Sequence, residues 1–163
     1  MANHWHPLKA VDQAIKAFVD AAALTNLATV VRGKEYTDKA TLPLLAIVSE
    51  TGTRLRAKNW EVAGTLLLRT NLVVAPGGEA TALAESDELE SDLLDLFEVS
   101  VPDNDEPQAL AAAIQAAGVA AAVLDANKVL IVNFMLKTIT GGWDEDGNWS
   151  LTVDYAATVA YAQ

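Results

Sequence analysis

The chain predicts an α+β fold: an antiparallel or mixed sheet of about five strands with a long C-terminal β-hairpin and three helices packed on it. Three observations carry that prediction. From Trp149 the odd positions Trp149, Leu151, Val153, Tyr155, Ala157, Val159 and Tyr161 alternate with Ser150, Thr152, Asp154, Ala156, Thr158 and Ala160. A period of two held this long is explained by an extended strand with one buried face. Upstream, residues 129–139 are rich in β-branched and aromatic side chains and contain no Gly or Pro, and the turn formers of 141–148 separate the two runs. Finally, helical and strand patterns are segregated along the chain, in the order α-β-β-β-α-α-β-β, rather than alternating regularly.

Taken in order, residues 7–24 predict a helix. Pro7 suits a first helical turn. Leu8, Val11, Ile15, Phe18, Val19 and Ala22 form one apolar stripe, with Lys9, Asp12, Lys16 and Asp20 expected on the other side. Residues 27–32 predict a short strand and 33–41 a polar loop. Pro43 opens PLLAIVSE, apolar enough for a central strand, and Thr51-Gly52 predicts a turn. Arg54, Arg56 and Lys58 alternate, which on a strand places them on one face. In the next strand, residues 59–70, Trp60, Val62, Leu66 and Leu68 oppose Glu61, Thr65 and Arg69. Gly64 inside it predicts a bulge or a close backbone approach. Residues 72–80 predict an irregular segment with a turn at Pro76-Gly77-Gly78. Residues 82–98 predict an acidic helix buried along Leu89, Leu93, Leu96 and Phe97. Pro107 opens a last helix that stops near Gly118, and 119–127 predict a weak helix end.

With 163 residues, 52% hydrophobic and 20% charged, the chain predicts one domain over 1–163, with the acidic helical segment 79–127 between strands and the hairpin at 128–161. The absence of cysteine excludes a disulfide framework and a thiolate zinc site. Apolar runs are shorter than a membrane span, and the first residues lack the basic flank and apolar core of a secretion signal. A cytoplasmic protein is the expectation.

The net charge of −11 is unevenly spread. Residues 70–127 hold twelve acids and no Lys or Arg; the remainder holds ten acids and eleven bases. Such a field repels nucleic acid and argues against sequence-specific DNA binding, while suiting a surface that docks on a basic partner.

No catalytic signature stands out. His4 and His6 form a His-x-His pair without a third ligand. Asp144, Asp146 and Asn148 have the first spacings of a calcium loop, but Gly147 and Tyr155 stand at the wrong positions for its glycine and its final Glu. Gly77-Gly78 has no following Lys to hold a phosphate. The only histidines lie at the N-terminus, away from any Ser–Asp arrangement. The acids of 85–95 offer a carboxylate pair for hydrolysis, or a solvated helix face. The chain is therefore expected not to be an enzyme and to use no cofactor or metal.

Two features point to assembly instead. The hairpin is longer than the usual strand pair, and its tip carries Trp143 and Trp149 among the acids Asp144, Glu145 and Asp146. The upstream strand is apolar on both faces: Leu130, Val132, Phe134 and Leu136 on one, Val129, Ile131, Met135 and Ile139 on the other. One face can pack on helices, and the other needs a cover that a second subunit could supply. Candidate subunit-interface residues are Arg54, Arg56, Lys58, Trp60, Val129, Ile131, Met135, Trp143 and Trp149. Arg54, Arg56 and Lys58 are either a solvated edge or a docking stripe for the acidic helix of a neighbouring copy.

The layout also carries a family resemblance. An amphipathic N-terminal helix leads to a short strand, a loop closing on Leu42-Pro43 before the apolar strand LLAIVS, an Asn59-Trp60-Glu61-Val62 strand, a helical middle and two long C-terminal strands. This order, over nearly the whole chain, resembles the tail terminator (tail-completion) proteins of long-tailed bacteriophages and prophages. The resemblance implies a structural virion protein, made in the host cytoplasm and built into the tail and neck. It implies a subunit of a homohexameric ring that caps the tail tube and joins it to the head-side connector, with no reaction and no cofactor. It also implies DNA passing through the ring without specific binding. Under that reading Asp87, Glu88, Asp92, Asp95, Asp144, Glu145 and Asp146 are candidate channel-facing or docking acids, because a basic wall would hold the passing phosphates. A head–tail connector in the same conduit and a non-viral binding module without enzymatic activity are the alternatives.

Overall fold

The computed structural model describes residues 6–33, 41–70, 79–98, 106–143 and 148–162. Helix α1, Pro7–Ala22, starts where the His6 side chain accepts a hydrogen bond from the Lys9 backbone N–H at 3.2 Å and Pro7 occupies the first turn. It stops at Ala23, whose left-handed conformation (φ 49°) lets its N–H return to the Asp20 carbonyl. The expected stripe is buried at Val11, Ile15 and Val19, together with Ala10 and Ala14, but Ala22 is exposed. Asp12 departs from expectation: it is buried. Its carboxylate accepts from the Ser49 backbone N–H at 3.0 Å and from the Ser49 hydroxyl, and it lies 3.9 Å from the Arg32 guanidinium Nε. A helical position between apolar neighbours carries an acid inward when hydrogen-bond donors await it.

The chain then builds one mixed sheet from β1 (Thr29–Arg32), β2 (Leu44–Arg56), β3 (Asn59–Thr70), β4 (Val129–Trp143) and β5 (Trp149–Tyr161), in the spatial order β1-β2-β3-β5-β4. Only β1 runs parallel to its neighbour; the other three pairings are antiparallel. With α1, α2 (Glu79–Glu98) and α3 (Glu106–Ala120), the predicted element order and the α+β class hold. The strand after Pro43 lies second from the edge, and β3 takes the centre. Thr51-Gly52 is not a turn. It lies inside β2 just past a bulge at Glu50, with Gly52 paired to Val62. The chain reverses instead at Ala57-Lys58, two residues between β2 and β3.

The three helices cover one face of the sheet. Val62, Leu66 and Leu68 of β3 meet Leu151, Val153, Ala157 and Val159 of β5 beneath them, all buried. The alternation predicted for both strands is therefore the observed inside-outside pattern. A line of aromatic rings crosses this core. Phe18 of α1 meets Phe97 of α2 at 5.3 Å, Phe97 meets Phe134 of β4 at 5.7 Å, and Phe134 meets Tyr155 of β5 at 5.2 Å. The Tyr155 hydroxyl ends the line 2.6 Å from the Ser49 hydroxyl, joining it to Asp12. Burial pushes the Tyr155 phenol well above its ordinary range, so it remains a neutral hydrogen-bonding group. Gly64 makes this possible: a Cβ there would lie 2.2 Å from the Val48 carbonyl oxygen and 2.5 Å from the Tyr155 hydroxyl. The expected close approach is Tyr155 crossing β3.

Candidate assembly interface

Sheet order decides which strand is left over. β4 pairs with β5 on one side only, so its other side is an edge. Alternation predicts two clean faces for it, but two bulges, between Ile131 and Asn133 and between Leu136 and Thr138, shift the pattern twice. Val129, Ile131, Phe134, Leu136 and Ile139 consequently share the helix side, while Leu130 and Met135 face away. This corrects both predicted faces of the strand.

Val129 and Ile131 are core residues, 1% and 2% exposed, and are closed to a partner. The Gln115 side chain of α3 lies along the strand there. Its amide donates to the Val129 carbonyl at 2.9 Å and its oxygen accepts from the Ile131 N–H at 3.0 Å. One side chain thus takes two backbone groups that a bare edge would offer to another strand. No sequence pattern announced this; a Gln in an alanine-rich helix carries no register information.

Exposure concentrates nearby. Of the eight large hydrophobic residues exposed among the described residues, Val119, Leu130, Val132, Met135, Ile139 and Trp143 lie on α3 or β4. Leu130, Val132 and Val119 line an open groove of about 760 Å³ between α3 and the strand edge, floored by alanines 112, 116 and 120. Met135, with Glu61, Asn133, Lys137 and Thr158, lines a smaller depression of about 270 Å³ on the uncovered face. Trp143 is 63% exposed and rests edge-on against Trp149 at 5.3 Å. Trp149 is half-buried and tied inward, its indole N–H donating to the Glu90 carboxylate of α2 at 2.6 Å. Of the tip pair, only Trp143 is presented outward.

The basic cluster sits at one end of the long strands. Arg54 pairs across from Trp60, and its guanidinium lies 5.8 Å over that ring. Arg56 pairs across from Asn59, so a bulge at Leu55 puts Arg54 and Arg56 on opposite faces rather than the predicted single one. Lys58 lies in the turn and donates to the Ala162 carbonyl. The acidic helix is anchored at the other end. Ser86 lies 3.2 Å from the Thr70 hydroxyl, and Glu90 holds Trp149, the residue paired with Thr70. Glu85, Asp87, Glu88 and Asp95 point to solvent from α2, and Asp92 is half-buried. Glu90 itself is raised above the ordinary carboxylate range: desolvation dominates, the Trp149 bond works against it, and Asp87 adds to it. From that anchor α2 runs back along the sheet, its Phe97 stacked on Phe134, whose partner Ala157 pairs with Val62 near the Trp60 end of β3.

Asp144, Glu145, Asp146, His4, Gly77 and Gly78 lie outside the described residues; His6 is the α1 cap. Among the described residues no group of three or more His, Cys, Asp or Glu is placed to hold a metal ion, and no helix is long and apolar enough to cross a membrane. Compared with models of known protein families and with curated proteins, the chain matches none.

Proposed function

We propose that this protein is a structural assembly subunit, and that it works as a ring component of the tail terminator type: a brick that closes a conduit and joins the pieces on either side. One observation carries the reading. The described surface gathers six of its eight exposed large hydrophobics onto a single helix and the sheet-edge strand beside it. Isolated exposed apolar residues are ordinary, but so many on one edge strand and the helix beside it, with Met135 on the uncovered face and Ile139 on the helix side, support reading that edge as a contact surface. Leu130, Val132, Met135 and Ile139 are each between 37% and 49% exposed. Covering what remains open gains roughly 1 kcal/mol per side chain. Association costs more than one such contact returns, so the gain becomes useful only when a whole strip is covered at once. Charge supports the same reading: the acids of α2 and the basic Arg54, Arg56 and Lys58 give surfaces of opposite sign, suited to different neighbours.

Negative-stain electron microscopy of the purified protein tests this. Closed rings with a central opening are the expected images. A uniform field of single small particles, at concentrations where a ring component should be assembled, would remove the reading and leave a monomeric binding module.

A further inference from the structure

Two of the eight exposed large hydrophobic residues lie off the α3–β4 edge, and each sits inside a charged patch. Leu55, 50% exposed, forms the bulge between Arg54 and Arg56 at the end of the β2–β3 hairpin, with Lys58 in the turn beside it. Leu83, 52% exposed, lies on α2 about one turn before Asp87 and Glu88, which are exposed as well. We infer that copies of this chain meet head to tail, the Arg54–Lys58 hairpin end of one docking on the outer face of the first half of α2 on the next. This rests on the assembly reading and names a contact that builds it.

The two patches are complementary, and they cannot meet within one copy. Residues 1–69 carry nine bases and six acids, whereas 70–127 carry twelve acids and no base. Among the described residues, none of Arg54, Arg56, Lys58, Asp87 and Glu88 takes part in an ion pair. Ser86 fixes the first half of α2 beside Thr70, at one end of β3, and Arg54 pairs opposite Trp60 at the other. The strand between Trp60 and Thr70 spans about 33 Å at roughly 3.3 Å per residue. That is beyond the reach of a side chain and far beyond the Debye length of about 8 Å at physiological salt. Each patch therefore needs a partner from outside.

A second copy is the occupant these features select. It presents, for each patch, the opposite sign around an apolar centre: Leu55 between arginines on one side, Leu83 beside carboxylates on the other. Nucleic acid or an anionic membrane would reach the arginines only by approaching a chain of net charge −11. The hairpin end is also ordered in advance. Arg54 donates to the Ala57 carbonyl at 2.8 Å, and its guanidinium lies 5.8 Å over the Trp60 ring. Docking therefore freezes little of it, and its remaining N–H groups are left for a carboxylate. A contact between unlike patches is heterologous. Each copy gives its hairpin end to one neighbour and its α2 to the other, and the series stops when it closes on itself.

The experiment compares the molecular mass in solution, by sedimentation, of wild type, Arg54→Glu/Arg56→Glu, Asp87→Lys/Glu88→Lys, and an equimolar mixture of the two variants. Wild type is expected at a multiple of 17.3 kDa. Each variant alone is expected at the single-chain mass, because both of its patches then carry one sign. The mixture is expected to recover the oligomeric mass, since the reversed patch of one variant fits the reversed patch of the other and the native patches fit each other. If either variant alone keeps the oligomeric mass, or the mixture stays at the single-chain mass, the head-to-tail contact is overturned and the assembly reading stands; the Arg54 end then serves a different acidic partner. A wild type that sediments as a single chain overturns both. Should a variant fail to fold by circular dichroism, carbodiimide coupling of wild type mixed with isotope-labelled wild type decides. A Lys58 amine joined to the Asp87 or Glu88 carboxylate of another copy is expected, and coupling between copies that lacks this pair overturns the contact.

Discussion

Replacing Gly64 by Ala tests the packing that joins the sheet to its helices. In an ordinary strand that substitution stabilises by up to about 1 kcal/mol through lost chain entropy. At Gly64 the added methyl would lie 2.2 Å from the Val48 carbonyl oxygen, a backbone atom that no rotamer change can move, and 2.5 Å from the Tyr155 hydroxyl. Tyr155 must withdraw. Its bond to Ser49, worth about 1 kcal/mol, is lost, as is part of the Phe134 stack, worth about 0.5–1.5 kcal/mol. Overpacking between strands adds roughly 1–3 kcal/mol. The expected net loss is about 2–4 kcal/mol, which lowers the melting temperature by on the order of 10 °C for a chain this size. Thermal and urea unfolding followed by circular dichroism measure it. Gly52→Ala is the control, because its nearest atom is 3.6 Å away; it is expected within about 0.5 kcal/mol of wild type. Equal effects of the two substitutions, or a stable Gly64→Ala, would refute the reasoning.

Gln115→Met keeps the volume but strips the Val129 carbonyl and the Ile131 N–H of their partner. It is expected to cost about 2–4 kcal/mol in urea unfolding, and a loss under about 0.5 kcal/mol would mean that water replaces the side chain. Glu90→Gln retains an acceptor for the Trp149 indole and removes a desolvated charge. A carboxyl raised in the fold favours its protonated form, so its contribution is full below the ordinary value of 4.5 and is lost as pH rises through the raised one. Wild type should therefore lose stability over that window and Glu90→Gln should lose less. A variant clearly weaker than wild type at neutral pH would reverse the sign.

Much of the fold is legible because one buried face imposes a period on each element. Residues 149–161 and 59–70 follow it without interruption, and both are centrally placed strands in contact with the helices. Legibility fails where the backbone departs from regularity. Bulges at Glu50, Leu55, Val132 and Lys137 shift the faces of β2 and β4, and an extra residue in a ladder leaves no local mark when β-branched residues surround it. For this reason Arg54 and Arg56 separate, and Thr51-Gly52 stays in strand. Asp12 and Gln115 were missed for a related cause. Each is a polar residue carried inward by partners more than a dozen positions away, and helical periodicity assigns it to solvent. Among the candidate interface residues, Met135 and Trp143 are exposed, Trp60 and Trp149 are half-buried, and Val129 and Ile131 are core.

The central claim is that copies of this chain close on one another, and the mass of the purified protein in solution tests it most directly. Light scattering coupled to gel filtration, repeated over a range of loading concentrations, is expected to give one species at a fixed multiple of 17.3 kDa. A single-chain mass that persists at the highest concentration would contradict the account.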